Sequence, residues 1–223
     1  MKRLTLLAAS LALAISAQAS TVSYSFTNAF ATTEISQSGL LGLFDSNLGT
    51  LSSATLTLDD ELQTTIGLTN NAAQAQTVSA AATVALFFGS SLGSLNSILA
   101  GLNPIGGLSV GTGFVSIASG ATQSFGPLSA SDSDTVPVAG ILASLAAAGG
   151  GSFSVTCDSL SGVTITGGGG QIASTQQTEA KCGGSIVYTY DASTPRGVPE
   201  PASLALIGLA LAGAGVASRR RKA

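Results

Sequence analysis

The chain has 223 residues, room for one domain, the default, or two small ones; only 9% are charged and 5% aromatic, with 28 Gly and neither Trp nor His. Without histidine there is no Ser/His/Asp triad, no imidazole general base and no histidine-ligated metal. Six of the eight basic residues stand at the extreme ends, and between residues 20 and 199 ten acids face only Lys181 and Arg196, too few cations to neutralise a nucleic acid backbone.

At the N-terminus, Lys2 and Arg3 precede an apolar run over residues 4–15, and Ala17-Gln18-Ala19 gives a small-x-small cleavage pattern before Ser20. This order predicts a secretory signal peptide over residues 1–19, with Ala17, Ala19 and Ser20 at the cut; a buried N-terminal helix is the alternative. Export then places residues 20–191 outside the inner membrane.

That exported segment alternates apolar and polar residues in Thr21-Val22-Ser23-Tyr24-Ser25-Phe26, Ala54-Thr55-Leu56-Thr57-Leu58, Gly162-Val163-Thr164-Ile165-Thr166 and Ser185-Ile186-Val187-Tyr188-Thr189-Tyr190. Period two marks half-buried strands. Breaks at Asn70-Asn71, Gly149-Gly150-Gly151 and residues 167–170 mark turns, as does Asp45-Ser46-Asn47. Many short strands so punctuated predict an all-β domain, a β-sandwich with the jelly-roll as one form. In residues 91–102, Leu92, Leu95, Ile98, Leu99 and Leu102 recur at helical spacing before Asn103-Pro104, which predicts one short helix. The Ala/Leu-rich run 138–148 has no decisive period.

The chemistry-bearing residues are few. Asp59-Asp60-Glu61 and Asp132-Ser133-Asp134 read as solvated carboxylates at strand-end turns. The alternatives are halves of a Ca²⁺ site or a glycosidase acid/base pair, which makes a secreted glycan hydrolase the least favoured function. Gly106-Gly107 and Gly111-Thr112-Gly113 lack the lysine and spacing of a phosphate loop and read as turns. Cys157 and Cys182 are the only cysteines, and in an oxidising compartment they are predicted to form a disulfide; two buried free thiols are the alternative. No catalytic residue, metal or cofactor is assigned, and the domain is not read as an enzyme.

After a linker over residues 192–198 the C-terminus carries a second address. Residues 202–218 are uncharged, about 26 Å as a helix, and Arg219, Arg220, Arg221 and Lys222 follow, so a short transmembrane helix with a cytoplasmic basic end is predicted; a core helix is the alternative. Pro199-Glu200-Pro201 precedes the span, held extended by its two prolines. Triplet, apolar span and basic cluster together resemble the PEP-CTERM sorting signal, here over residues 199–223. The resemblance implies an exosortase-type enzyme that cuts near Pro199, Glu200 and Pro201 after transient membrane anchoring, with delivery to the cell surface or extracellular space.

Leu43-Phe44-Asp45-Ser46-Asn47-Leu48-Gly49-Thr50-Leu51, the strand after it and the ending Val187-Tyr188-Thr189-Tyr190-Asp191 resemble the choice-of-anchor E domain, a β-rich exported domain joined to varied anchors. The function these features imply is structural or adhesive, at the surface or in the extracellular matrix. An exopolysaccharide-binding module is the alternative, and no nucleic acid partner is expected.

Overall fold

The computed structural model describes residues 19–193 and, in the tail, residue 208. The chain runs β1 (Ala19–Thr27), β2 (Ala31–Thr32), β3 (Ser36–Gly42), β4 (Phe44–Asp45), β5 (Gly49–Asn70), β6 (Gln76–Ser90) and α1 (Gly93–Leu102). It continues through β7 (Ile105–Gly111), β8 (Val115–Ile117), β9 (Thr122–Val136), a 3-10 segment (Ala139–Leu145), β10 (Ala146–Ala147), β11 (Ser152–Gly167) and β12 (Ile172–Ala192).

Strict alternation builds the two longest strands. From Leu56 to Asn70 every even-numbered residue of β5 is buried, while Thr55, Thr57, Thr65 and Thr69 point the other way. β12 repeats the pattern with Ala180, Cys182, Ile186 and Tyr188 inside, and pairs antiparallel with β5 from Gly49↔Ala192 to Asn70↔Ile172. Side chains alternate faces along a strand, so this register decides which residue reaches the interior. β1 and then β2 line the free edge of β12, and β9 lines the far side of β5.

The second sheet has the order β3-β11-β6-β7, with β8 beside β6, and β4 and β10 form a short parallel pair. Both sheets contribute to one apolar core, Leu56, Leu58 and Leu62 from the first meeting Val84, Leu86, Phe88 and Val155 from the second. Two antiparallel sheets across a shared core make a sandwich. A smaller cluster around Ile66, Leu68, Val78 and Ile117 continues it. Between the two clusters lies a buried polar pair, Thr64 and Thr178, whose hydroxyls meet at 2.8 Å, so each satisfies the other.

Aromatic side chains hold one lateral side. A Cβ on Gly39 of β3 would overlap the Phe26 ring of β1, and one on Gly42 would strike the Tyr24 ring. Tyr188, fully buried, packs edge-on against Tyr24 at 6.2 Å and donates its hydroxyl to the Gly42 carbonyl at 2.8 Å. The sheets are thus tied through glycines whose missing side chains admit the rings.

Several sequence expectations change here. The strands are many, as expected, but not all short: five of the twelve among the described residues reach 15 residues or more. Ser and Thr hydroxyls face solvent without breaking the ladder, so polar stretches that resemble connections continue the strands. The helix of residues 91–102 forms as α1, burying Leu95 and Leu99, and Asn103 ties its end to β6 through both amide atoms on the Phe88 backbone. The undecided run 138–148 is the 3-10 segment and β10. Asp45 makes its turn as predicted, accepting the N–H of Asn47 at 2.9 Å.

Among the described residues no helix is long and apolar enough to cross a membrane. Of the predicted span 202–218 only Gly208 is described, and it is helical. The signal residues up to Ala17 and the sorting residues Pro199, Glu200, Pro201, Arg219, Arg220, Arg221 and Lys222 lie outside the described residues. Ala19 and Ser20 begin β1, opposite Asp191 and Tyr190, so a cut before Ser20 removes only the Ala19 pair from the β1–β12 ladder. The compact β-rich unit ends at Ala192.

The glycine seats give a direct test. Gly39→Ala forces the Phe26 ring out of its place and is expected to destabilise the domain by about 1–3 kcal/mol, the usual range for overpacking. Urea unfolding measures it, and an unchanged midpoint would mean that the ring does not seat on Gly39.

Candidate functional site

The two acidic motifs are not turns. Asp59-Asp60-Glu61 lies mid-strand in β5 and Asp132-Ser133-Asp134 lies inside β9, and the β5–β9 register sets Asp60 directly opposite Asp132. The solvated-turn reading fails because the even-residue alternation of β5 runs through the acids without a break, carrying one carboxylate inward and two outward.

On the outer face, Asp59 accepts a hydrogen bond from the Ser133 hydroxyl at 2.8 Å. Lys181 of β12 pairs with Glu61 at 2.9 Å and lies 4.8 Å over the Phe30 ring. Gly183 beside them has no side chain, and a depression of about 490 Å³ opens there, lined by Asp59, Glu61, Ser131, Ser133 and Lys181, with Asp60, Asp132 and Cys182 also reaching it. It offers carboxylate, hydroxyl and ammonium groups to solvent. Sequence reasoning missed Ser131 and did not place Lys181 or Ser133 beside Asp59 and Glu61, because only cross-strand register brings them together.

On the inner face, Asp60 is 3% exposed and its Oδ2 has no hydrogen-bond partner. Among the described residues the Ser94 hydroxyl is likewise buried without a partner, whereas Asn70 donates to the Gln74 and Ile117 carbonyls and Ser159 accepts the Ile35 N–H. An unsatisfied buried group costs about 1–3 kcal/mol, so Asp60 is a destabilising position within the core. Room for it comes from Gly106 of β7, where a Cβ would overlap Oδ2 and where φ is +74°. The β6–β7 register shifts at this point, so Gly106 is a bulge rather than the predicted strand-end turn. Continuing the even-residue count from Leu56 places Asp60 inside; nothing in the sequence marks Gly106 as its neighbour.

Next to Asp60 in register stands Cys182, 1% exposed, and Cys157 of the opposite sheet is equally buried. The structure brings the two cysteines together but holds them as free thiols, not as the predicted disulfide. The Cys157 thiol is pushed up, first by its hydrogen bond with Cys182 and then by burial. Asn28 Nδ2 also reaches the Cys182 sulfur, at 3.7 Å.

The PEP-CTERM protein-sorting motif matches residues 197–222, which take in Pro199, Glu200, Pro201 and the four terminal basic residues. The chain therefore carries the mark of an exosortase-processed protein sent to the cell surface or extracellular space. The match covers the tail alone, and the choice-of-anchor E resemblance of the preceding domain gains no support. No curated protein matches the chain. Among solved structures, the VP2 subviral particle of infectious bursal disease virus is 11% identical over 79% of this chain and 37% of that chain, with a TM-score of 0.21. The Gx strain of the same virus is 10% identical over 80% of this chain and 37% of that chain, with a TM-score of 0.17.

Burial, and then the charges of Asp132, Asp134 and Asp59, push the Asp60 carboxyl up from 3.8 to about 7. A carboxyl raised on folding favours the native state while protonated. Its contribution is complete below about pH 4 and is lost as pH climbs through about 7, a change of at most roughly 4 kcal/mol. Denaturant unfolding in chelator should therefore show Asp60→Asn losing the part of the fall in stability between pH 4 and 7.5 that wild type displays. Identical pH profiles for the two proteins would contradict the buried placement.

Proposed function

We propose that the domain of residues 20–191 is a structural or adhesive component of the cell surface or extracellular matrix, not an enzyme, anchored transiently by residues 202–218 until the tail is cut. The observation that carries this reading is the sorting motif at residues 197–222 behind a β-rich unit ending at Ala192. Long ladders with hydroxyl-rich outer faces and a glycine-seated core suit a rigid surface element.

Exopolysaccharide binding is the second reading, favoured by the outer depression. Asp59, Glu61, Ser131 and Ser133 present acceptors and donors there, the groups that sugar hydroxyls engage. Pulldown on the producing organism's own polysaccharide separates the two: retention that Asp59→Ala with Glu61→Ala abolishes supports binding, and no retention leaves the structural role.

Processing is tested at Glu200. Glu200→Ala leaves the apolar span and basic cluster intact, so insertion proceeds and release fails. The variant should collect in the inner membrane fraction as a species heavier than the mature protein by roughly 2 kDa, the mass of about twenty residues. Release with the wild-type C-terminus and yield would mean that Pro199, Glu200 and Pro201 are not read.

The facing thiols of Cys157 and Cys182 are proposed to close into a disulfide after export, where the compartment is oxidising. Linking this roughly 26-residue segment stabilises by about 3–4 kcal/mol in the chain-entropy description. Protein taken from the medium, unfolded without reductant and treated with a thiol label, should take up none. Two labelled cysteines would show that the pair stays reduced.

A further inference from the structure

Asp60, Asp132 and Asp134 share one face of the β5–β9 ladder. Asp60 and Asp132 are directly opposed across β5 and β9, and Asp134 is opposite Leu58, so all three belong to the inward face. Directly opposed Cβ atoms lie about 5 Å apart and diagonal ones about 7–8 Å, within reach of one point for carboxylates of this length. Here β9, the edge of one sheet, runs beside β7, the edge of the other. A cavity of about 220 Å³ lined by Pro104, Gly106, Asp134 and Val136 opens between them.

The independent sign of a ligand is Asp60 itself. Its Oδ2 is buried, has no partner, and points at the bulge of Gly106, where no side chain intervenes. Every nearby ionisable group on β5 and β9 is acidic, and Lys181, paired with Glu61, belongs to the opposite face. Three like charges around an unsatisfied oxygen are stabilised by a hard cation that takes oxygen ligands.

We propose that Asp60, Asp132 and Asp134 form a divalent-cation site between β7 and β9, and that Ca²⁺ is its occupant. Among the described residues no three such groups already stand at metal-holding geometry, so the site closes on binding. Asp60 supplies the fixed ligand, while exposed Asp132 and half-buried Asp134 rotate inward to it. Ca²⁺ accepts irregular oxygen shells completed by water, whereas Mg²⁺ demands near-octahedral order that this row does not offer. Export delivers the domain to a medium where weak sites fill.

The test uses the purified full chain, stripped with EDTA and titrated with CaCl₂, MgCl₂ or ionic-strength-matched NaCl, with thermal unfolding and calorimetry as readouts. Ca²⁺ should raise the midpoint and bind with a dissociation constant of about 10⁻⁴–10⁻³ M, the range of extracellular modules. The double variant Asp132→Asn with Asp134→Asn, altered at positions outside the packed core, should lose that response. The outer-face double variant Asp59→Asn with Glu61→Gln should keep it. No Ca²⁺-specific shift in wild type, a shift that survives loss of Asp132 and Asp134, or one abolished by the outer-face pair would each overturn the proposal.

Discussion

The antiparallel ladder between β5 and β12 is the constraint on which the rest of the domain depends. It runs the full length of both strands and joins chain segments far apart in sequence. One residue of slippage would turn Leu56, Leu58, Leu62, Ile66 and Leu68 to solvent and bring the threonines inside. The hydrophobic term against such a slip is large, because burying each aliphatic side chain is worth about 1.5–3 kcal/mol. The same register that protects the leucines carries Asp60 into the interior, where apolar packing alone would exclude it.

The two lateral sides of the sandwich use the same device for different contents. On one, Gly39 and Gly42 of β3 admit the aromatic rings of β1. On the other, Gly106 of β7 admits a carboxylate from β5. The first arrangement buries apolar surface and satisfies Tyr188; the second leaves Oδ2 of Asp60 without a partner. Burial of apolar surface stabilises the aromatic side, and the acidic side is a cost that a protonated carboxyl or a bound cation offsets.

Much of this was legible in the sequence, and what was not has a physical cause. Alternation in residues 54–58 and 185–190 identifies strands that the structure contains, and the leucine spacing before Asn103-Pro104 identifies α1. Strand length escaped notice because three consecutive acids resemble a turn, although Leu56, Leu58, Leu62 and Ile66 keep one parity across them. The pairing of Asp60 with Asp132, and of Glu61 with Lys181, depends on non-local register, which local patterning does not encode. The tail was readable for the opposite reason: its triplet, span and basic cluster are contiguous, and the motif match falls on them. Addresses are local in sequence, whereas the surface of a β-sheet is assembled across it.

The most direct test of the inward placement of Asp60 is its titration observed by carboxyl-carbon NMR in the folded, chelator-treated protein. With its side chain between the sheets, the midpoint should fall at about 7. A midpoint at the ordinary value of 3.8 would place the carboxyl in water and contradict its burial between the sheets.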